Sequence, residues 1–530
     1  MNAVPSATAV ARAVVQRLLD VGVVEIVVAP GSRNAPLSSA AYDAAQAGLV
    51  RLHTRFDERS AGFLALGLTK QGNPAAVICT SGTAVANLHP AVLEAAHAGV
   101  PLLVVTADRP ARLRGTGANQ TTDQVAPYGA LVASYDVADV DGVATLPRRD
   151  WSVPVHLNVQ LDDPLLDAST WTPRPPGPPP PRPQVRPAAT HLTLGPRTFV
   201  VAGDDASQAA RRLAEDADWP LLAEPSSGSR TGEHALRCYR LLLGTELGAE
   251  IARVVVLGRP TLSRPVPRLL GRADVQVVSV PTDGVWTERP FPVAQVAPYP
   301  VVTGRDEPTW RARWVDADRA VGRGLDALLA AEADLTPYEA VGAVSRAVPP
   351  GGLLVVGPSS PIRDLDLMGL PTPVGSRRKT VANRGLSGID GVVSTAIGVA
   401  LARDRSSRSI ALMGDVTFLH DANGLVLGPG QPTPDLTIVV VNDDGGSIFA
   451  MLEQGDAAYA DRFDALFGTP HGVDIGALCA ASRTPHLRVD SLPELEQALG
   501  SPNGGLEVVE VRVRRDNRRE LDARIRELRA

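Results

Sequence analysis

The sequence predicts an α/β protein composed of three doubly wound domains, each built on a parallel sheet. Short runs rich in valine, isoleucine and leucine recur along the chain, and helical patterns lie between them. Strands that alternate with helices form parallel sheets that are covered by helices on both faces. The chain has 530 residues, which is more than one hydrophobic core usually supports.

The predicted strands are short and almost continuously apolar, which is typical of strands buried on both faces. They are residues 24–28, 75–79 and 101–106 in the first third, 198–202, 253–257 and 275–280 in the middle third, and 353–356, 409–413, 436–441 and 506–513 in the last third. Helical patterns cover residues 206–217 and 308–333, and another follows Gly82. Ser6 or Thr8 is suited to cap a first helix that ends near Leu19.

A proline-rich stretch marks the clearest domain boundary. Residues 173–187 predict an extended, semi-rigid linker, because proline fixes φ and removes a backbone donor. The predicted domains are therefore residues 1–172, 188–334 and 335–530.

The bulk composition argues against several classes of protein. A net charge of −6 is unfavourable for a general nucleic-acid binder. We expect no membrane span, because no apolar run reaches the roughly 18 residues that one requires, and the first residues lack a signal-peptide pattern. The three cysteines are far apart in sequence, so we expect neither a zinc site nor a disulfide framework. A cytoplasmic location fits these features.

Arginine dominates the basic residues. Of the 52 lysines and arginines only Lys70 and Lys379 are lysines. Codon bias in a GC-rich genome explains most of this excess. A few arginines are expected to bind carboxylates, because the guanidinium group is planar and forked.

Two acidic segments follow two strands of the last third. Gly414-Asp415 ends one strand, and Asn442-Asp443-Asp444-Gly445 ends the next, about 28 residues later. Ligands bind outside the carboxyl ends of parallel strands, and Mg²⁺ prefers oxygen ligands. We therefore expect a metal site with Asp415, Asp443 and the Gly445 carbonyl. A register moved by one residue would make Asn442 the side-chain ligand.

The two segments together resemble the thiamine diphosphate motif, although Val416 stands where that motif usually has glycine. A Rossmann-type sheet with acidic loop residues is the alternative explanation. The resemblance implies thiamine diphosphate with Mg²⁺, or alternatively Mn²⁺. It also implies that Thr417 and the helix it starts present N–H groups to the diphosphate.

Glu58 is the candidate catalytic acid. The segment Asp57-Glu58-Arg59-Ser60-Ala61 opens a helix in the first third. In thiamine enzymes a glutamate of this region hydrogen-bonds N1′ of the aminopyrimidine, which activates the cofactor. A carboxylate favoured at a helix start is the alternative explanation.

Several motifs in combination resemble one branch of the thiamine enzymes. They are Pro30-Gly31-Ser32-Arg33-Asn34, Asp57-Glu58-Arg59-Ser60-Ala61, Thr80-Ser81-Gly82-Thr83, Thr106-Ala107-Asp108-Arg109-Pro110, Gly117-Ala118-Asn119-Gln120 and Asn383-Arg384-Gly385-Leu386-Ser387-Gly388-Ile389-Asp390-Gly391. This set looks like the family of 2-succinyl-5-enolpyruvyl-6-hydroxy-3-cyclohexene-1-carboxylate (SEPHCHC) synthases of menaquinone biosynthesis. The resemblance covers nearly the whole chain and is weakest in the middle third.

The resemblance implies a fold, a reaction and an assembly. The three domains would be the pyrimidine, middle and diphosphate domains. The cofactor would attack 2-oxoglutarate, CO₂ would leave, and the succinyl carbanion would add to isochorismate by conjugate addition. The coenzyme normally sits between a pyrimidine domain of one subunit and a diphosphate domain of another. We therefore expect a homodimer or a homotetramer with active sites at the subunit interface.

The resemblance also implies site residues. The arginines that match substrate-carboxylate positions are Arg33, Arg109, Arg363 and Arg384, and the neutral hydrogen-bonding side chains are Ser32, Asn119 and Gln120. Ser387, Gly388 and Ile389 would contact the cofactor, with Ile389 holding it in a V shape. For each of these arginines taken alone, a structural ion pair would explain its presence equally well.

Three alternatives remain open at this stage. An acetolactate synthase-like carboligase would add to a carbonyl and would often carry FAD in its middle domain. A non-catalytic thiamine-fold protein would be expected to lack Glu58 or Asp415. A nucleotide-binding module would need a Gly-rich fingerprint, which we do not find. Arg264, Arg289 and Arg305 are also candidates for a regulatory site that binds an acidic pathway product.

Overall fold

The computed structural model of the chain describes residues 6–146, 153–177, 187–403 and 408–529. Three six-stranded sheets follow one another along the sequence, and every neighbouring pair of strands within them is parallel. The predicted α/β class is confirmed. A two-stranded parallel sheet accompanies the second of them.

The first sheet has the strand order β2-β1-β3-β4-β6-β5. Its strands are β1 (Glu25–Val28), β2 (Arg51–Thr54), β3 (Ala75–Cys79), β4 (Leu103–Asp108), β5 (Ala133–Val137) and β6 (Val155–Gln160). Its helices are α1 (Ala7–Asp20), α2 (Ala35–Gln46), α3 (Glu58–Lys70), α4 (Thr83–Asn87), α5 (His89–Ala98) and α6 (Val140–Thr145). Ser6 is the residue that caps α1, with its hydroxyl accepting from the Ala9 N–H.

The second sheet has the order β10-β9-β8-β11-β12-β13. The strands of this region are β7 (Thr190–Leu192), β8 (Thr198–Ala202), β9 (Leu221–Ala223), β10 (Ala235–Leu236), β11 (Arg253–Leu257), β12 (Gln276–Ser279), β13 (Gln295–Val296) and β14 (Pro300–Val302). Its helices are α7 (Ala209–Ala217), α8 (Tyr239–Leu242), α9 (Glu246–Ala249), α10 (Pro265–Leu270) and α11 (Thr309–Ala330). Numbered from β8, this order is the one of dinucleotide-binding sheets.

The third sheet has the order β16-β15-β17-β18-β20-β19. Its strands are β15 (Leu353–Val356), β16 (Lys379–Val381), β17 (Ser409–Gly414), β18 (Leu436–Asn442), β19 (His486–Val489) and β20 (Leu506–Arg512). Its helices are α12 (Pro337–Ala347), α13 (Ser360–Met368), α14 (Val392–Leu401), α15 (Asp415–His420), α16 (Ala460–Phe463), α17 (Ile475–Ala481), α18 (Leu492–Gly500) and α19 (Arg518–Arg526).

The first and third sheets share one topology. Counted from its own first strand, each has the order 2-1-3-4-6-5. In the first sheet the loops after β1, β3 and β4 are therefore neighbours at the carboxyl edge. In the third sheet the loops after β16, β15, β17 and β18 are neighbours in the same way. The carboxyl edges of these two sheets carry all the motifs that predict the cofactor, metal and substrate sites.

The first and third sheets also share a core. One hydrophobic cluster contains Val77 of β3, Ile397 of α14 and Val440 of β18. Helices α3 and α14 meet through glycines. A Cβ on Gly67 would lie 2.3 Å from the Thr395 carbonyl oxygen, and one on Gly398 would lie 2.3 Å from the Leu64 carbonyl oxygen. The two domains of one chain therefore pack helix against helix at backbone contact.

The strands predicted from the sequence are all present, with ends that differ by at most two residues. The predicted helix over residues 206–217 begins three residues later, at Ala209, because Asp205 and Ser207 adopt positive φ. Thr417 does not start a helix. Helix α15 begins at Asp415, since Gly414 is extended and allows the next residue to turn directly from strand into helix.

The predicted domain boundaries stay predictions, although the strands of each sheet fall within one predicted segment. Within the predicted linker, residues 178–186 lie outside the described part of the chain, and residues 173–177 form neither helix nor strand. None of the described helices combines the length and the hydropathy of a membrane span.

Candidate functional site

Asp415 lies at the carboxyl end of β17 and is 2% exposed. Its Oδ1 accepts from the Val416 N–H at 2.8 Å, and its Oδ2 accepts from the Gly445 N–H at 2.8 Å. Burial raises the pKa of this carboxyl group, and hydrogen bonds, first of all the one from His471, partly oppose the rise. A buried carboxylate with this environment is a site that a cation would stabilise.

Asp443 follows β18, the strand next to β17, and shares the electrostatic field of Asp415. Burial and then the negative charge of Asp415 raise its pKa to about 7. Asn442 is turned away from this pair. Its amide donates to Glu510 at 2.7 Å, and its Oδ1 accepts from the Asp444 N–H at 2.9 Å. Of the two candidates for the second side-chain metal ligand, Asn442 and Asp443, it is Asp443 whose charged oxygens are available.

The backbone beside the two carboxylates passes very close to a second segment. Gly445 has φ 141°, and a Cβ there would lie 2.1 Å from the Gly468 carbonyl oxygen. The Gly446 N–H donates to the same oxygen at 2.7 Å. Glycine is therefore required at position 445 by both its conformation and its surroundings.

His471 is a site residue that the sequence analysis missed. Its Nδ1 accepts from the Val473 N–H at 3.0 Å, so a neutral ring carries its proton on Nε2. Nε2 lies 3.0 Å from Asp415 Oδ2 and donates to it. The histidine is 56 residues away in sequence from Asp415, and no local motif marks it.

The residues present fit a divalent cation. Asp415 and Asp443 are acidic neighbours, and neither forms an ion pair with an arginine or lysine among the described residues. Within the same residues no group of three His, Cys, Asp or Glu side chains could hold a metal ion. A site here therefore needs backbone and phosphate oxygens to complete the shell, which is the usual arrangement for Mg²⁺ on phosphates.

Glu58 is the first residue of α3 and is half-buried. Asp57 caps the helix by accepting from the N–H groups of Arg59 and Ser60. Glu58 itself accepts from the Asn87 amide at 3.2 Å. The Asp57 cap fixes the backbone at the start of α3. The Glu58 carboxyl group uses only one oxygen in its contact with Asn87, so its other oxygen can bind a ligand. The predicted opening of a helix at this motif is confirmed.

Arg33 and Arg109 lie together at the carboxyl edge of the first sheet. Burial and then the charge of Arg33 lower the pKa of the Arg109 guanidinium. Arg109 donates to the Ser81 hydroxyl at 2.9 Å and to the Gln120 carbonyl at 2.7 Å. Arg33 forms one ion pair, at 3.3 Å, with the largely exposed Asp163. Two like charges are therefore held side by side, which favours an anionic ligand.

The neutral residues predicted for this site lie on its rim. Ser32 and Asn119 are exposed, and Gln120 is exposed with φ 56°. The Gln120 amide donates to the Ser81 carbonyl at 2.9 Å, and the Ser81 hydroxyl donates to the Gln120 carbonyl. Ser81 thus fixes both Gln120 and Arg109, a function that its motif alone did not reveal.

Arg363 and Arg384 form a second pair of positive charges, at the third sheet. Burial and then Arg384 lower the pKa of Arg363, and Arg264 adds to the effect. Arg384 is 2% exposed and donates to the carbonyl and hydroxyl of Thr261 at 3.1 and 2.8 Å. Its Nε is buried without a partner among the described residues. No acidic side chain of the described residues forms an ion pair with Arg109, Arg363 or Arg384.

Helix α13 carries Arg363 and is fixed on both sides by buried ionic contacts. Asp364 accepts from Arg518, and Asp366 accepts from the Tyr239 hydroxyl. Arg240 of the middle domain donates to the Arg363 carbonyl at 2.5 Å. The charge of Arg264 helps to lower the pKa of Arg363, and the Arg289 guanidinium donates to the Ser279 hydroxyl and to the Gly258 and Val280 carbonyls. The regulatory site predicted at these arginines stays a prediction.

The segment predicted to contact the cofactor follows β16. Ser387, Gly388 and Ile389 are half-buried, and Ser387 has φ 60°. A Cβ on Gly391 would lie 1.9 Å from the Phe63 ring, so the turn lies directly on α3. Thr417 is buried in α15, behind Asp415.

The predicted site residues fall into two groups, one at the first sheet and one at the third sheet. One group is at the first sheet and contains Ser32, Arg33, Glu58, Arg109, Asn119 and Gln120; the other is at the third sheet and contains Arg363, Arg384, Ser387, Gly388, Ile389, Asp415, Thr417, Asp443 and Gly445. No hydrogen bond or ion pair among the described residues joins a side chain of one group to the other.

Comparisons with known proteins indicate the function of the two groups of site residues. The family described as "Thiamine pyrophosphate enzyme, N-terminal TPP binding domain" matches residues 8–126, and its "C-terminal TPP binding domain" matches residues 371–510. A protein of Nocardioides sp. named 2-succinyl-5-enolpyruvyl-6-hydroxy-3-cyclohexene-1-carboxylate synthase is 66% identical over 99% of this chain and 98% of its own.

Proteins of the same name from Kineococcus radiotolerans and Mycobacterium marinum are 47% and 41% identical. They match 96% and 98% of this chain, and 96% and 99% of their own. The chain belongs to the SEPHCHC synthase family. The thiamine diphosphate-binding architecture and the family expected from the motifs are confirmed. The two matched ranges contain the two groups of site residues, except Arg363, which precedes the second range.

Three histidines of the first and third domains contact neighbouring side chains. His97 packs its ring against Trp286, His89 packs against Tyr128, and His420 contacts Arg59.

Proposed function

We propose that this chain catalyses the thiamine diphosphate-dependent decarboxylation of 2-oxoglutarate and the conjugate addition of the succinyl carbanion to isochorismate, giving SEPHCHC. One observation carries the proposal. The half-buried Arg363 and the buried Arg384, which form no ion pair with an acidic side chain among the described residues, lie at the same sheet edge as the neighbouring carboxylates of Asp415 and Asp443. Such a site is suited to a magnesium diphosphate and to two dicarboxylate substrates together.

Asp415 and Asp443 would hold Mg²⁺ through carboxylate oxygens, together with the Gly445 carbonyl; Mn²⁺ has the same ligand preference. The engagement of Asn442 with Glu510 and Asp444 favours Asp443 as the second side-chain ligand. Thiamine diphosphate, when bound, supplies the nucleophilic carbon and the electron sink. Ser387, Gly388 and Ile389 would lie against its aminopyrimidine, and Thr417 would lie near its diphosphate.

Glu58 would hold a proton at N1′ of the aminopyrimidine and exchange it during turnover. Arg363 and Arg384 would bind the substrate carboxylates on the diphosphate-domain side of the site. Arg33 and Arg109 would do so on the pyrimidine-domain side, with Ser32, Asn119 and Gln120 adding neutral hydrogen bonds. Each arginine has a fixed carbonyl or hydroxyl partner, so the guanidinium planes are oriented before the substrate arrives.

The division of the site residues between two domains, together with the family of the chain, supports a site shared between subunits. In a homodimer, Glu58, Arg33 and Arg109 of one subunit would face Asp415, Arg363 and Arg384 of the other. A homotetramer would be a pair of such dimers. The acetolactate synthase-like alternative uses two monocarboxylate substrates, which would leave four arginines with only two carboxylates to bind, and no relative compared above carries its name.

The test is product analysis with 2-oxoglutarate, isochorismate, thiamine diphosphate and Mg²⁺. We expect CO₂ release and SEPHCHC formation in equal amounts, and neither without the cofactor or the metal. Pyruvate in place of 2-oxoglutarate is the control donor. Consumption of pyruvate with isochorismate left unchanged would show that the proposal is wrong.

A further inference from the structure

Both lysines of this arginine-rich chain lie at one junction between the first and third sheets. The Lys70 ammonium group, at the end of α3, donates to the Ala382 carbonyl at 2.8 Å. The Lys379 ammonium group, at the start of β16, donates to the Gln71 amide oxygen at 2.8 Å and the Lys70 carbonyl at 3.5 Å. Codon bias alone does not explain why both remaining lysines stand at this place.

Glu94 of α5 is the acidic member of the same junction. It is 3% exposed, and its two carboxylate oxygens accept from consecutive backbone N–H groups, Gly385 at 2.8 Å and Leu386 at 2.7 Å. Lys70 lies 3.8 Å from the same carboxylate. Charge-assisted hydrogen bonds to two neighbouring amides fix a backbone in both position and direction.

The backbone fixed in this way carries functional residues on both sides. Arg384 precedes the two amides, and the turn Ser387–Gly388–Ile389 follows them. A Cβ on Gly385 would lie 2.5 Å from the Glu94 carbonyl oxygen, so the segment is in direct contact with α5. A side chain of the first sheet's domain therefore controls where residues of the third sheet's site lie.

We propose that Glu94, held by Lys70, is a positioning residue for the segment 382–389, and that it sets the placement of Arg384 toward substrate and of Ser387–Ile389 toward the cofactor. The inference rests on the proposed function for what those residues bind. Glu94 touches neither substrate nor cofactor and acts only through the backbone of Gly385 and Leu386.

The test compares Glu94→Gln with Glu507→Gln. Glu507 is a similarly buried glutamate on β20, an inner strand of the third sheet distant in strand order from β16, where it accepts from the Thr437 hydroxyl and the Asn503 N–H. In Glu94→Gln one of the two amides meets an NH₂ group instead of an oxygen. We expect hydrogen exchange of the amides in 382–390 to accelerate about tenfold, the effect of losing one charge-assisted hydrogen bond. Glu507→Gln should leave these amides unchanged.

The kinetic readouts separate positioning from general stability. We expect Glu94→Gln to weaken thiamine diphosphate binding and to raise KM for 2-oxoglutarate, each by about 10- to 100-fold, which is the range for a small misplacement. Its melting temperature should match that of Glu507→Gln. Lys70→Met should also accelerate amide exchange, weaken thiamine diphosphate binding and raise KM. Lys70→Arg, which keeps the charge, should give values close to those of the wild type. These two variants replace Glu94→Gln if that variant does not fold.

Exchange, affinity and KM in Glu94→Gln equal to those in Glu507→Gln would overturn the proposal. Equal behaviour of Lys70→Met and Lys70→Arg would overturn the role of Lys70. If the wild-type protein uses neither substrate but Glu94→Gln still accelerates amide exchange in segment 382–389, the proposed function is wrong. The positioning of that backbone by Glu94 would then still be supported.

Discussion

Glu58 stands one residue after its own helix cap, and its only side-chain partner among the described residues is the Asn87 amide. We expect Glu58→Gln to bind thiamine diphosphate with near wild-type affinity, because glutamine keeps the size and a hydrogen-bonding end. Turnover should fall about 10²- to 10⁴-fold, the range for removal of a general acid–base group. Calorimetric titration of the cofactor and steady-state kinetics measure the two quantities.

The matched control is the same substitution at Glu520, an exposed residue of α19. Glu520→Gln should keep both affinity and turnover. A Glu58→Gln enzyme with near-normal turnover would remove the acid–base role proposed for Glu58.

Glu224 gives a prediction about stability and pH. It is 1% exposed and accepts from the Leu262 N–H at 3.0 Å, and burial raises its pKa to about 8 from an ordinary value of 4.5. The folded protein thus keeps a proton that the unfolded chain releases. This contribution to stability is complete below pH 4.5 and is lost as the pH rises toward 8.

Glu224→Gln removes the titrating group and keeps an acceptor for the Leu262 N–H. Its free energy of unfolding, relative to wild type, should therefore increase with pH by up to about 1.4 kcal/mol per pH unit. Urea unfolding at several pH values between 5 and 8 measures the difference, with Glu520→Gln as the control. A difference that does not change with pH would show that Glu224 titrates normally.

At the scale of single residues, the sequence predicted the site residues that lie inside contiguous motifs. It missed the site residues whose partners are distant in sequence. Glu58 and Asp415 were identified because each follows a strand end within a motif. His471, Ser81 and Glu94 were not identified as site residues, because their roles come from contacts with residues 39 to 291 positions away. Contacts of that range depend on strand order, which the sequence pattern did not give.

At the scale of elements, the contact between α3 and α14 leaves no room for added volume. Gly67→Ala would place a Cβ 2.3 Å from the Thr395 carbonyl oxygen, so one helix must move. We expect a loss of about 1–3 kcal/mol in the free energy of unfolding. Denaturant unfolding of the cofactor-free protein measures it.

Gly322→Ala in α11 is the matched control. Its Cβ would meet no atom closer than 3.7 Å, so the higher helix propensity of alanine should leave stability unchanged or raise it. Equal stabilities for the two variants would show that α3 and α14 are not in backbone contact.

The elements that the sequence analysis did not predict are mainly short or edge strands. Strands β10, β13 and β16 have two or three residues, and β5 and β19 are sheet edges with mixed polar and apolar residues. A buried central strand is a continuous apolar run, but an edge strand is half exposed and loses that signal. Most inner strands were therefore predicted, although the inner strands β6 and β9 were missed.

At the scale of the whole molecule, two sheets of one topology place their site loops at equivalent edges. Arg33, Ser81 and Arg109 follow β1, β3 and β4, while Arg363, Asp415 and Asp443 follow β15, β17 and β18. In one chain these edges carry the two groups of site residues. A twofold symmetric dimer would bring each group against its complement, so both sites would be formed by the same contact.

The most direct test of this account is activity in a mixed dimer of Glu58→Gln and Asp415→Asn subunits, purified with two affinity tags. Each parent homodimer should be inactive. If one site takes its glutamate from one subunit and its aspartate from the other, the mixed dimer contains one intact site and one site with both changes. We predict about half of the wild-type turnover per dimer. No recovery of activity in the mixed dimer would contradict a site shared between subunits.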